Sequence, residues 1–470
     1  SKVPTRGGAL KPMRMVWKIV AGVAAVLVAV VIGLAAWLAI APPDLIRVGG
    51  NYAAKIVCSN VFIAGRDPQE ILRLDVQAPG HPLLRLMRLH VDREAGTVSA
   101  GLFGLFGRGY ALHRPGLGCT SVPSGDFASF PRSPYPVQTA TAPAAPWPEG
   151  NEPVAAKNAR LEAVLDDAAL TGPGMRAVVV VKDGRIVGER YGDGFGAETP
   201  LLGWSMTKTV NAALIGIAAG QGLLSLDQQN LFGAWRGDDR REIRLVDLMG
   251  MSSGLAFNED YGSVTDVTRM LFLEPDMAGF AVTSPLESPA GSTFRYSSGT
   301  AVLLSRLWQD AAADRAMFLP QQALFGPLGM TSAVLEVDRS GTFVGSSYLY
   351  ATARDWARFG QLLLQDGEWR GRQILPAGFA AWMREEAPAS GGTYGRGQLW
   401  LEGPDGGRDG ADRDRAAGLP DDTFWLLGHD GQSMAVIPSE RAIVLRLGLT
   451  PWSARYATQR LVRAALDAVE

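Results

Sequence analysis

The stretch WSMTKTVNAALIGIAAG, residues 204–220, decides how the rest of the sequence is read. Met206, Val210, Ala213, Leu214 and Ile217 recur at the 3.6-residue period of a helix with one buried stripe, and Gly220 suits its C-terminal end. Ser205 and Lys208 stand three apart and so share a helix face, where a hydroxyl and an amine can meet. The first turn of a helix also leaves backbone N–H groups unpaired at the positive end of its dipole, where an oxyanion is stabilised. A hydroxyl needs a base to become a nucleophile, and an amine with a lowered pKa can be that base. Ser-x-x-Lys is short enough to occur by chance, but composition sharpens it. The chain has 7 Lys against 38 Arg, and no Lys follows Lys208. Arg does not release its proton, whereas a buried Lys can be tuned to do so. A solvated surface Lys is the structural alternative.

On either side of this helix lie strand patterns. Ala177–Val181 and Ile186–Tyr191 flank an Asp183-Gly184 turn, which reads as a hairpin. Near the far end, Phe424–Leu427, Ser433–Ile437 and Ala442–Leu447 read as three more strands, followed by a helix over Ser453–Val469. Helical periods fill the middle at Thr300–Ala312 and Ala353–Gln365, and another precedes the hairpin at Ala155–Ala169. Strands at both ends and helices between them predict an α+β domain, an antiparallel sheet closed by the two chain ends beside a helical subdomain. The polar, Gly-rich stretch 402–420 reads as a surface insertion.

Two further motifs carry chemistry. Tyr296-Ser297-Ser298 precedes the helix starting near Thr300, and a phenol beside a cation is expected to lose its proton below the usual pKa of about 10. A Tyr packed at a loop–helix junction would look the same. Gly428-His429-Asp430-Gly431-Gln432 lies where one terminal strand turns into the next. Gly431 would let a substrate approach the strand edge, and the Gln432 N–H could be a second oxyanion donor. His429 is the one His after residue 113, and a lone His is often structural.

In kind and in order, these elements resemble the serine hydrolases of the class C β-lactamase and penicillin-binding-protein superfamily, over roughly residues 155–470. The segment LMGMSSGL, residues 248–255, is similar to a further stretch of that family. The resemblance implies Ser205 as acyl-accepting nucleophile, Lys208 as its base or tuner, and Tyr296 as the proton shuttle to the leaving group. It implies an oxyanion hole from the N–H groups of Ser205 and Gln432, with His429, Gly431 and Ser298 lining the substrate site. Ser298 stands where the family commonly has Asn, and His429 where β-lactamases use a Lys to hold a carboxylate. A His neutral at pH 7 anchors an anion less well. The combination is closer to the 6-aminohexanoate-dimer hydrolases and β-lactamase-like esterases, which cleave linear amides or esters. No cofactor is implied. A D-amino-acid peptidase or carboxypeptidase acting on cell-wall peptides is a second enzymatic reading. A non-catalytic accessory subunit of a larger membrane complex is a third, of another class.

Upstream, residues 19–41 carry no charge. Twenty-three residues at ~1.5 Å each span roughly 34 Å, enough for a hydrocarbon core of about 30 Å. Lys2, Arg6, Lys11, Arg14 and Lys18 precede the run and place residues 1–18 in the cytoplasm. The expectation is a single-pass inner-membrane protein, with the lipid bilayer as partner through 19–41 and the catalytic domain periplasmic. A cleaved signal peptide is the rival, against which stand the length of the run and Pro42-Pro43 directly after it. Residues 42–130 form a stem region containing both cysteines, Cys58 and Cys119, read as one disulfide, with two buried free thiols as the alternative. The proline-rich stretch 131–153 reads as an extended linker to a hydrolase domain over 154–470. A net charge of -2 over 470 residues excludes nucleic acid as the main partner, and the four His lack the tight spacing of metal ligands.

Overall fold

A computed structural model describes residues 10–78, 80–128, 135, 143–152, 158–404 and 410–470. Lys2, Arg6, residues 155–157 and most of the proline-rich stretch lie outside the described residues. The first helix, α1 (Leu10–Ile40), contains the stretch Met15–Ile40, long and apolar enough to cross a membrane and exposed along nearly all of its length. A signal sequence can share that length and composition. Pro42 and Pro43 break the helix, and α2 (Asp44–Phe62) begins directly after them.

The stem is a four-stranded antiparallel meander, β1 (Met87–Asp92), β2 (Thr97–Leu102), β3 (Phe106–Arg114) and β4 (Gly118–Ser121), with α2 laid across it. Two glycines permit that crossing. A Cβ on Gly50 would lie 2.3 Å from the Gly107 carbonyl, and one on Gly109 2.1 Å from the Asn51 nitrogen, so helix and strand touch backbone to backbone. Cys58 of α2 is bonded to Cys119 of β4, with Cα atoms 6.0 Å apart.

The second sheet has the expected closure by both chain ends. β5 (Met175–Lys182) and β6 (Arg185–Tyr191) form the hairpin. After the helical region containing α3 (Thr207–Gly220), α4 (Ser298–Ala312) and α5 (Ala353–Leu364) come β7 (Phe424–Gly428), β8 (Gln432–Ile437) and β9 (Ala442–Gly448). The order is β7-β8-β9-β5-β6, antiparallel throughout. Val179 and Val181 face the helical core, while Val178 and Val180 face Leu161, Leu165 and Leu461 on the other side. Burial on both faces explains why this strand is a continuous apolar run instead of an alternation.

The last helix, α6 (Gln459–Val469), starts six residues later than the sequence suggests. A short 3₁₀ turn, Trp452–Ala454, and the left-handed Arg455 (φ 48°) interrupt the pattern. Ahead of the hairpin, the observed helix is Ala159–Asp166, capped by Asn158. Within 402–420, Asp414 accepts from Gly403 N, Trp425 Nε1 and Gln459 Nε2, which fastens that insertion to β7 and α6.

The stem and the hydrolase-like part share one apolar core containing Val57, Met87, Trp204 and Leu349. Buried ion pairs join them as well. Lys55 of α2 meets Glu336 at 2.5 Å, and Glu336 also accepts from Ser59 Oγ and Cys119 N. Asp75 bridges Arg66 and Arg176 at 2.8 and 2.6 Å. The segment 143–152 is held against α5: Trp147 is buried with its Nε1 donating to the Arg354 carbonyl, and Arg358 donates to Pro148 O, Gly150 O and Asn151 Oδ1.

Candidate active site

Trp204 is left-handed (φ 48°) and bends the chain into a single 3₁₀ turn, Trp204–Met206, so that Ser205 sits just ahead of α3. Lys208 lies in the first turn of α3 and is 1% exposed. Its Nζ is 3.0 Å from each of Ser205 Oγ, Ser298 Oγ and the Ser346 carbonyl. Three acceptors match the three protons of an ammonium; a neutral amine keeps two and turns its lone pair to the Ser205 hydroxyl. Burial lowers the Lys208 pKa to about 8, against the pull of Glu259, so the neutral form is within reach near neutral pH.

Glu259 has no counterpart among the sequence motifs. Its carboxylate accepts from Ser298 Oγ at 2.5 Å and Ser298 N at 2.8 Å, placing a negative charge one hydroxyl away from Lys208. Burial raises its pKa, and Lys208 opposes that rise. It lies in a polar run, NEDYGS at 258–263, which carries no spacing that could have singled it out.

The Tyr296 ring centroid is 4.7 Å from Lys208 Nζ, which places the phenol beside the Ser205–Lys208 pair. The expected lowering of its pKa does not occur. Burial raises it, Glu259 adds to the rise, and only the neighbouring Ser205 works the other way. Tyr296 therefore holds its proton and can pass it on, but is no resting phenolate.

The strand side is stapled from beneath. Gln432 Nε2 donates to the carbonyls of His429, Asp430 and Gly448, while Oε1 accepts from Gly448 N. Arg446, wholly buried, donates to Gly431 O and Pro173 O. Gly431 is at φ 81°, and a Cβ there would press to 3.0 Å on Arg446 and Thr450, so the turn itself requires glycine. The turn carrying Ser205 packs against the ends of β7 and β8, bringing the two oxyanion candidates to adjoining elements. His429 is 42% exposed, stacked on Tyr261 at 4.9 Å and edge-on to Trp204 at 5.6 Å. Among the described residues no cluster suited to a metal ion occurs.

The β-lactamase family model matches residues 167–466, well over half of the chain. The chain belongs to the β-lactamase family. Solved structures agree on the fold of this family of serine hydrolases. A Bacillus anthracis protein assigned as a 6-aminohexanoate-dimer hydrolase superposes with a TM-score of 0.52 at 21% identity, over 66% of this chain and 80% of that one. A Bacteroides dorei protein assigned as a β-lactamase gives 0.52 at 20% identity, over 66% and 98%. EstCE1, a hydrolase with promiscuous acyltransferase activity, gives 0.51 at 16%, over 66% and 97%. Among curated proteins, none matches the sequence significantly. The β-lactamase-family match leaves the stem and α1 outside it.

Proposed function

We propose that this chain is a membrane-anchored serine hydrolase that cleaves an amide or ester through an acyl-enzyme on Ser205. The observation that carries the reading is the buried Lys208 amine, 3.0 Å from the Ser205 hydroxyl, with the Tyr296 ring 4.7 Å from the same amine. In the neutral form, Lys208 accepts the Ser205 proton as Oγ adds to the substrate carbonyl. The N–H groups of Ser205 and Gln432 hold the oxyanion. Tyr296 donates to the departing alcohol or amine as its bond to the carbonyl carbon breaks, and takes up the proton carried by Lys208. Water then cleaves the acyl-serine, releasing the acid and restoring the hydroxyl. His429 and Ser298 border the substrate.

Here α1 is the anchor, with the basic N-terminus cytoplasmic and the stem and catalytic part on the periplasmic side. A fluorophosphonate probe is expected to label the wild type and not Ser205→Ala; absence of labelling in both refutes the assignment. Product analysis on muropeptides separates this reading from a cell-wall peptidase.

A further inference from the structure

Stem and catalytic part together enclose a cleft of about 800 Å³, its open mouth included. Leu45 and Val48 of α2 form one wall with Leu83 and Leu84. Phe272 and Tyr261 stand on the catalytic side with His429 and Trp204, and Trp204 is the residue immediately before Ser205 in the chain. A wall so rich in leucine and aromatic rings favours an apolar guest.

The cleft adjoins the start of α2, just past the end of α1. Leu45, a lining residue that is 37% exposed, is four residues beyond Ala41, where α1 has just ended, a reach of at most about 14 Å of extended chain. Leu86, Phe103 and Leu105 are 40%, 54% and 64% exposed in the same part of the stem, and Phe103 N donates to Leu86 O. Gly107 abuts Ile46, which fixes this apolar tip beside the start of α2. Arg85, Arg88 and Arg108 are exposed around it, and among the described residues none of the three forms an ion pair. An apolar tip with exposed arginines beside it suits an interface of acyl chains and anionic headgroups.

We infer that the cleft receives the acyl chain of a membrane amphiphile and presents its ester or amide carbonyl to Ser205, so that the stem is part of the substrate site. This rests on the serine hydrolase reading and names its substrate class.

The test uses the full chain in mixed phospholipid–detergent micelles with p-nitrophenyl acetate, octanoate and palmitate. The wild type should prefer the longer chains by about tenfold or more in kcat/KM, since each buried methylene is worth roughly 0.8 kcal/mol. The paired substitution Leu45→Glu and Leu83→Glu should reduce that preference to about twofold or less. A wild type indifferent to chain length, or a variant that keeps the full preference, overturns the inference. Independently of any variant, a diazirine-bearing palmitoyl ester should crosslink to peptides containing Leu45 or Leu83; crosslinks confined to other regions overturn it. Turnover of acetate without chain-length preference defeats the cleft assignment alone. No turnover of any ester, together with no fluorophosphonate labelling, defeats the hydrolase reading and this inference with it.

Discussion

Replacing Glu259 by Gln removes the one carboxylate whose field raises the Lys208 pKa, while leaving an amide of nearly the same shape to bond Ser298. The amine and the carboxylate are linked through Ser298 Oγ by hydrogen bonds of 3.0 and 2.5 Å, so their charges are no more than about 5.5 Å apart. At an effective dielectric of about 20, unit charges at that distance interact by about 3 kcal/mol. That corresponds to roughly two pKa units. Partial exposure of Glu259 screens the pair, and a shift of about one to two units is the expectation. With neutral Lys208 as the proposed base, kcat/KM should rise with pH through its pKa, near 8 in the wild type. Without Glu259 the ammonium loses its counter-charge, the pKa falls, and the rising limb moves to lower pH. The assay is a pH profile of kcat/KM on a soluble ester for both proteins. A limb that stays in place or moves to higher pH would refute the charge coupling between Glu259 and Lys208.

Lys208→Arg keeps the charge but cannot surrender a proton, and kcat should fall by about 10²–10⁴-fold, read by steady-state kinetics. Tyr296→Phe should slow amides more than esters with good leaving groups, because the proton it is proposed to deliver matters least where the leaving group needs none; equal losses on both substrates would contradict the proposed role. Glu336→Gln strands the buried Lys55 and should cost about 3–5 kcal/mol in denaturant unfolding, with partial recovery when Lys55→Met is added. Opening the Cys58–Cys119 bridge, which closes a separation of 61 residues, should cost about 4 kcal/mol by the same measurement.

The catalytic fold was legible because its signals are local. A Ser-x-x-Lys helix, two hairpins and their positions at the ends of the domain are all written in short-range periodicity. The pairing of Ser205 with Lys208 followed from one turn of helix. What the sequence could not reveal depends on chain folded back over long distances. Glu259 reaches Lys208 through Ser298, across a loop with no periodic pattern, and Tyr296 titrates upward because of how deeply neighbours bury it. The same holds for the stem. Lys55 and Glu336 are 281 residues apart, each unremarkable among its neighbours, and only the fold makes them partners. Compositional reasoning found the isolated Lys208 but gave no reason to look at Lys55.

The interlocking of stem and catalytic part bears on how this gene could be cut or recombined. A polypeptide starting at residue 154 would leave Glu336 facing water or vacancy, strip Arg176 of Asp75, and bare the surface that Val57 and Met87 now cover. Exchange of the amino-terminal third with that of another protein would have to carry Lys55 for Glu336 and Asp75 for Arg176 along. A catalytic unit cut free at that point would therefore need the seam rebuilt before it could stand alone.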